Sequence, residues 1–149
     1  MIVQKGQYNE KKFFIAALSR YEMEGLEVVG FPHMVISITS PEEKREVKIQ
    51  TNPEVLMRLC FYDLSQPKGP FTTLFTQEMA DTVVKTVRES LDKISGIIVH
   101  CNAGVCRSVG LAAAFSKVYF EDDSKFFKEG IPNQLVYKLM METLMKGIE

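Results

Sequence analysis

Apolar residues fall along the chain in short β-branched runs and in longer stretches with helical spacing, and the two kinds alternate. Met34 to Thr39 reads as a strand stopped by Ser40-Pro41. Val55 to Phe61 reads as another, a candidate for a central position. Ile97-Ile98-Val99, introduced by Gly96, has the composition of a strand buried on both faces. Met79, Val83, Val87, Leu91 and Ile94, widened by Ala80 and Val84, form an apolar stripe that predicts a helix over Gln77 to Lys93 with Thr76 as its N-cap. Val109 to Tyr119, rich in Ala and Leu, predicts a buried helix. A last helix runs to about Lys146, with Pro132 in its first turn and Leu135, Val136, Leu139 and Met140 inward. Phe14, Ile15 and Leu18 predict a short helix over Lys11 to Arg20, and Val47-Lys48-Ile49 a short edge strand. Glu42 to Glu46 reads as a solvated charged turn, Tyr62 to Pro70 as a loop, and Glu121 to Ser124 as a turn followed by a polar stretch, Lys125 to Glu129. This alternation predicts an α/β fold with a mainly parallel central sheet flanked by helices. No repeat or linker divides the chain, and its 149 residues suit a single domain, 1–149.

The chemistry concentrates in His100-Cys101-Asn102-Ala103-Gly104-Val105-Cys106-Arg107-Ser108. A cysteine ends a predicted strand, five residues make a tight loop, and an arginine opens a predicted helix. A loop wrapped at a helix N-terminus turns its N–H groups inward into an anion-binding nest, to which the helix dipole adds positive charge. Asn102, Ala103, Gly104, Val105 and Cys106 would supply the phosphate-binding amides, with Gly104 free to take a positive φ. Arg107 offers a planar two-pronged donor that matches two oxygens of a phosphoryl group. Cys101 sits where a thiolate, the nucleophilic form, is favoured.

His-Cys-x5-Arg-Ser between a buried strand and a helix resembles the signature loop of the cysteine-dependent protein tyrosine phosphatases, and most closely their compact dual-specificity branch of bacterial and viral type. The resemblance implies a protein tyrosine phosphatase-like fold and hydrolysis of phosphotyrosine, and of phosphoserine or phosphothreonine, in proteins through a cysteinyl-phosphate. It implies Cys101 as nucleophile, Arg107 as phosphate clamp, Ser108 as the hydroxyl that stabilises the departing thiolate, and His100 as structural support of the loop. An aspartic acid some thirty to forty residues before the cysteine serves the family as general acid. Asp63, at a strand end in a Pro/Gly-containing loop, fits that position, whereas Asp81 and Asp92 lie within a predicted helix. The larger tyrosine phosphatases carry Trp-Pro-Asp in the acid loop; this chain has no Trp, which favours the dual-specificity branch. Neither metal nor organic cofactor is implied. Asn133 and Gln134 are candidates to approach the loop.

Composition narrows the partners. A net charge of −1 supplies no global attraction for nucleic acid or membrane, so attraction for an anionic substrate must be local. The partner expected is a phosphorylated protein or small phosphoester, with oligomeric state open. No basic, aromatic-interleaved tract supports an RNA 5′-phosphatase, and the loop interior lacks the basic residues expected for phosphoinositides. Sulfurtransferase and arsenate reductase chemistry fit the Arg-Ser ending and the signature's position less well. A phospho-binding module without turnover is the non-enzymatic alternative. Three irregularly spaced cysteines give no disulfide framework or zinc spacing, and suit a reducing compartment. With no apolar signal core near Met1 and no membrane-spanning run, the cytoplasm is the expected location. Cys106 reads either as loop filler or as a resolving thiol for oxidised Cys101; Cys60 is another resolving candidate if its strand neighbours that of Cys101. His33 reads as a structural histidine.

Overall fold

The structure, a computed structural model, describes residues 1–70 and 72–146. Five strands form one sheet in the order β1-β2-β5-β3-β4. They are β1 (Ile2–Tyr8), β2 (Lys11–Ser19), β3 (Met34–Thr39), β4 (Val55–Cys60) and β5 (Gly96–Cys101). The helices are α1 (Arg20–Gly25), α2 (Gln77–Ser90), α3 (Arg107–Phe120), α4 (Ser124–Glu129) and α5 (Gln134–Met145). β2, β5, β3 and β4 run parallel, and only the β1–β2 hairpin is antiparallel, so the sheet is mainly parallel as the alternation implies.

All six residues of β5 are buried, and β5 is bonded on both sides, to β2 and to β3. One face of the sheet packs Ile15, Ala17, Ile36, Ile97 and Val99 against Val83 and Val87 of α2, Leu111 and Phe115 of α3, and Met140 of α5. The other face carries Ala16, Leu18, Val35 and Ile98 under Met23, Leu26, Val29 and Val47. α3 is buried over its first ten residues, Arg107 to Ser116.

Several elements differ from expectation. Lys11 to Arg20 is not a helix but β2. Its residues alternate between the two cores, Phe13, Ile15 and Ala17 on one side and Phe14, Ala16 and Leu18 on the other, so both registers are apolar and no period of two shows. β4 is an edge strand rather than a central one, with alternating exposure. Val47-Lys48-Ile49 forms no strand; Val47 is instead a buried plug on the second core. α2 ends at Ser90, and the polar stretch after Asp123 winds into the single-turn helix α4. α5 starts at Gln134, capped by Asn133, whose Oδ1 accepts from Val136 N–H at 3.0 Å, so Pro132 precedes the cap. β1 is a strand that the hydrophobic pattern does not announce, since Gln4, Lys5 and Gln7 interrupt it.

Candidate active site

Because four strands run parallel, their C-terminal ends share one edge, and the segments leaving them meet there: the Ser19-Arg20 junction of β2 with α1, Ser40 after β3, Phe61 to Asp63 after β4, and Asn102 to Cys106 after β5. In register, Ser19 lies opposite Cys101 and Ser37 opposite His100.

The signature loop curls around the Cys101 sulfur. Sγ is buried, 3.2 Å from Ser108 Oγ, and receives the Gly104 N–H at 3.3 Å. Gly104 has φ +71°, and a Cβ there would lie 2.5 Å from Ser19 N, so glycine is demanded by the turn and by the backbone it touches. α3 begins at Arg107 directly after the loop and aims its N-terminal N–H groups and dipole at this point. Asn102 and Ala103 are exposed, as is Val105, while Gly104 and Cys106 are half-buried.

Arg107 is buried. Its Nη1 donates to Ser40 Oγ at 2.8 Å and to the Phe61 carbonyl at 2.7 Å, while its Nε has no partner among the described residues. The guanidinium is thus anchored through one nitrogen, with donor capacity left over. Ser37 Oγ lies 2.6 Å from His100 Nε2. Burial holds the His100 imidazole down at about 4, outweighing the pull of the adjacent Cys101 backbone toward protonation. The imidazole is therefore neutral at pH 7, and any support it gives a thiolate comes through loop order rather than positive charge.

Glu43, read from sequence as part of a solvated turn, is a strut. Its carboxylate accepts from Ser40 N–H and Asn102 Nδ2, each at 2.8 Å, and from Arg20. Burial pushes its carboxyl up, but the Ser40 and Arg20 hydrogen bonds outweigh this and leave it below its ordinary value. Ser40 and Glu43 were missed; the signal was there in Ser40-Pro41-Glu42-Glu43, a Ser-x-x-Glu pattern like the capping box at Ser19 and Glu22.

Asp63 is exposed at the mouth of the loop, where its Oδ1 accepts from Asn133 Nδ2 at 2.9 Å and its carboxylate faces the Cys106 thiol. Burial, then the Asp63 charge, pushes that thiol up to about 11. Cys106 is therefore a protonated donor at neutral pH and a poor resolving nucleophile. Cys60 stands on β4, with β3 between it and β5, so its strand does not neighbour that of Cys101. Asp81, within α2, and Asp92, just beyond it, are exposed, as is Gln134. His33 is buried, with Nε2 2.7 Å from Thr51 Oγ1, a structural pairing. Among the described residues no three His, Cys, Asp or Glu side chains are grouped to hold a metal.

One cleft, about 620 Å³ and lined by residues including Lys5, Lys12, Phe14 and Phe31, opens at the start of β2, the end of the sheet opposite Cys101. A smaller one, about 390 Å³, borders the Asp63 loop at Tyr62, Leu64, Lys68 and Pro70.

The sequence matches no protein-family model and no curated protein. Solved structures do match. Tk-PTP in its active form superposes with a TM-score of 0.52 at 13% identity, covering 90% of this chain and 92% of that one. A variant of human DUSP28 gives 0.52 at 13% identity, covering 89% and 88%. The chain has the fold of the protein tyrosine phosphatases. A mouse protein assigned as a dual specificity phosphatase, solved with zinc tungstate, also gives 0.52, at 11% identity, covering 89% and 82%. The phosphatase fold therefore extends over nearly all the chain. No helix among the described residues is long and apolar enough to cross a membrane.

Proposed function

We propose that the protein is a cysteine-dependent phosphatase that hydrolyses phosphate monoesters, phosphotyrosine and phosphoserine or phosphothreonine in proteins, through a cysteinyl-phosphate. The observation that carries this reading is the Cys101 sulfur held under the Gly104 N–H, at the N-terminus of α3, beside an arginine that Ser40 and Phe61 hold through Nη1.

In the first step the phosphoryl oxygens take the loop N–H groups and the free edge of the Arg107 guanidinium, and the Cys101 thiolate attacks phosphorus in line. The P–S bond forms as the P–O bond to the leaving group breaks, and Asp63 gives its proton to the departing oxygen. In the second step Asp63 takes a proton from water, the water oxygen attacks phosphorus, and the thiolate leaves toward Ser108 Oγ, free to donate to it. The cysteine is regenerated and inorganic phosphate departs; no redox partner is consumed. His100 acts as a neutral support of the loop. Three free cysteines are in keeping with a reducing compartment, and we infer the cytoplasm.

Asp63→Asn keeps the Asn133 contact but can neither give nor take the proton. Turnover of phenyl phosphate, an ester with a poor leaving group, is expected to fall by about 10²-fold, with the basic limb of the pH–rate profile removed. A profile unchanged in shape would assign the proton to another group, and no turnover by the wild-type protein on this ester or on phosphopeptides would overturn the phosphatase reading.

A further inference from the structure

Among the described residues Asn133 makes no hydrogen bond to Cys101 or Arg107, yet three parts of the site converge on it. Its Nδ2 donates to Asp63 Oδ1 at 2.9 Å and lies 3.4 Å from the Leu64 carbonyl. Its backbone N–H donates to the Cys106 carbonyl at 2.9 Å, and the neighbouring Ile131 N–H donates to Val105 O at the same distance. Its Oδ1 caps α5 through Val136 N–H. Asn133 is itself buried, and at Gly110 of α3 a Cβ would stand 3.1 Å from its carbonyl oxygen, so the helix that carries Arg107 and Ser108 fixes it from behind. Asp63, by contrast, is exposed on a loop that carries Pro67, Gly69 and Pro70.

We propose that Asn133 is a positioning residue for the general acid: its amide holds the Asp63 carboxylate over the signature loop in the orientation that proton transfer needs. One amide spends its oxygen on the α5 cap, which fixes which end is nitrogen, and so presents a donor to Asp63. A donor of this kind orients the carboxylate and leaves its other oxygen free to carry the transferred proton. The Cys106 thiol, protonated to about 11, faces the same carboxylate from the loop side. Positioning of this kind stands on the reading of Asp63 as acid.

The test separates positioning from capping. Asn133→Ser keeps an oxygen able to cap α5 and keeps the backbone N–H to Cys106, but removes the amide donor; Asn133→Asp keeps the shape and cap but sets a carboxylate against Asp63, and serves if the serine variant does not fold. Kinetics are measured on phenyl phosphate, whose leaving phenol has a pKa of about 10 and requires a proton, and on the activated p-nitrophenyl phosphate. The variant is expected to lose kcat on phenyl phosphate by roughly 10- to 100-fold, with KM little changed and a much smaller loss on p-nitrophenyl phosphate. In the Asp63→Asn background the same substitution is expected to add less than about twofold, because the group it orients is gone. Equal losses on both esters, or losses that multiply with those of Asp63→Asn, would overturn the proposal while leaving the phosphatase reading intact. If the wild-type protein turns over neither ester, both readings fall together.

Discussion

Cys101→Ser is expected to lower turnover of p-nitrophenyl phosphate by about 10⁴-fold or more, measured as initial rate with purified protein. The reason is local to the sulfur. The sulfur stands at the head of α3 with the Gly104 N–H directed at it, and a serine hydroxyl in its place is a far weaker nucleophile. The substitution changes one buried atom for a smaller one and leaves the loop amides and Arg107 in place. Binding of inorganic phosphate or tungstate is therefore expected to survive while turnover does not. Full activity in the serine variant would place the nucleophile elsewhere.

Arg107→Lys is expected to lower kcat/KM by about 10³-fold. The native guanidinium is held by Ser40 Oγ and the Phe61 carbonyl through Nη1, and still has Nε and Nη2 for two phosphoryl oxygens. A lysine has one nitrogen in that space. If it satisfies the two anchors it loses the planar pair of donors aimed at the phosphoryl group; if it turns to the phosphoryl group it leaves Ser40 and Phe61 without their buried donor. Either way the charge that develops on the equatorial oxygens loses its bidentate partner. A loss below about tenfold would mean that the loop amides alone carry the anion.

The part of the site contiguous in sequence was legible, because Cys101 to Ser108 is a strand end, a loop and a helix start whose chemistry can be read residue by residue. Asp63 was a candidate through the resemblance, for its place at a strand end in a Pro/Gly loop, and the structure sets its carboxylate beside Cys106. What was not legible comes from other loops brought to the same edge by parallel strands. Ser40 looked like a strand stop and Glu43 like one charge in a mixed run, since nothing in local sequence says that a turn will dock on Asn102. In the fold, the failures have different causes. β2 is buried on both faces, so its composition hides its period. β1 is a polar edge strand, and the hairpin that pairs it uses Asn9 at φ 51° and Glu10 at φ 63°, a turn geometry usually announced by Asn-Gly but here carrying a glutamate. β4 showed a strand but not its place at the edge, because strand order is set by crossovers rather than by the strand itself.

Direct capture of the covalent intermediate tests the central claim most closely. Ser108→Ala removes the hydroxyl 3.2 Å from the Cys101 sulfur, which should slow departure of the thiolate more than its attack. Rapid acid quench of this variant with p-nitrophenyl phosphate should show a burst of one nitrophenol per chain, with the phosphoryl group on Cys101 by mass spectrometry. Turnover with no phosphorylated cysteine, or a phosphoryl group on any other residue, would contradict the account.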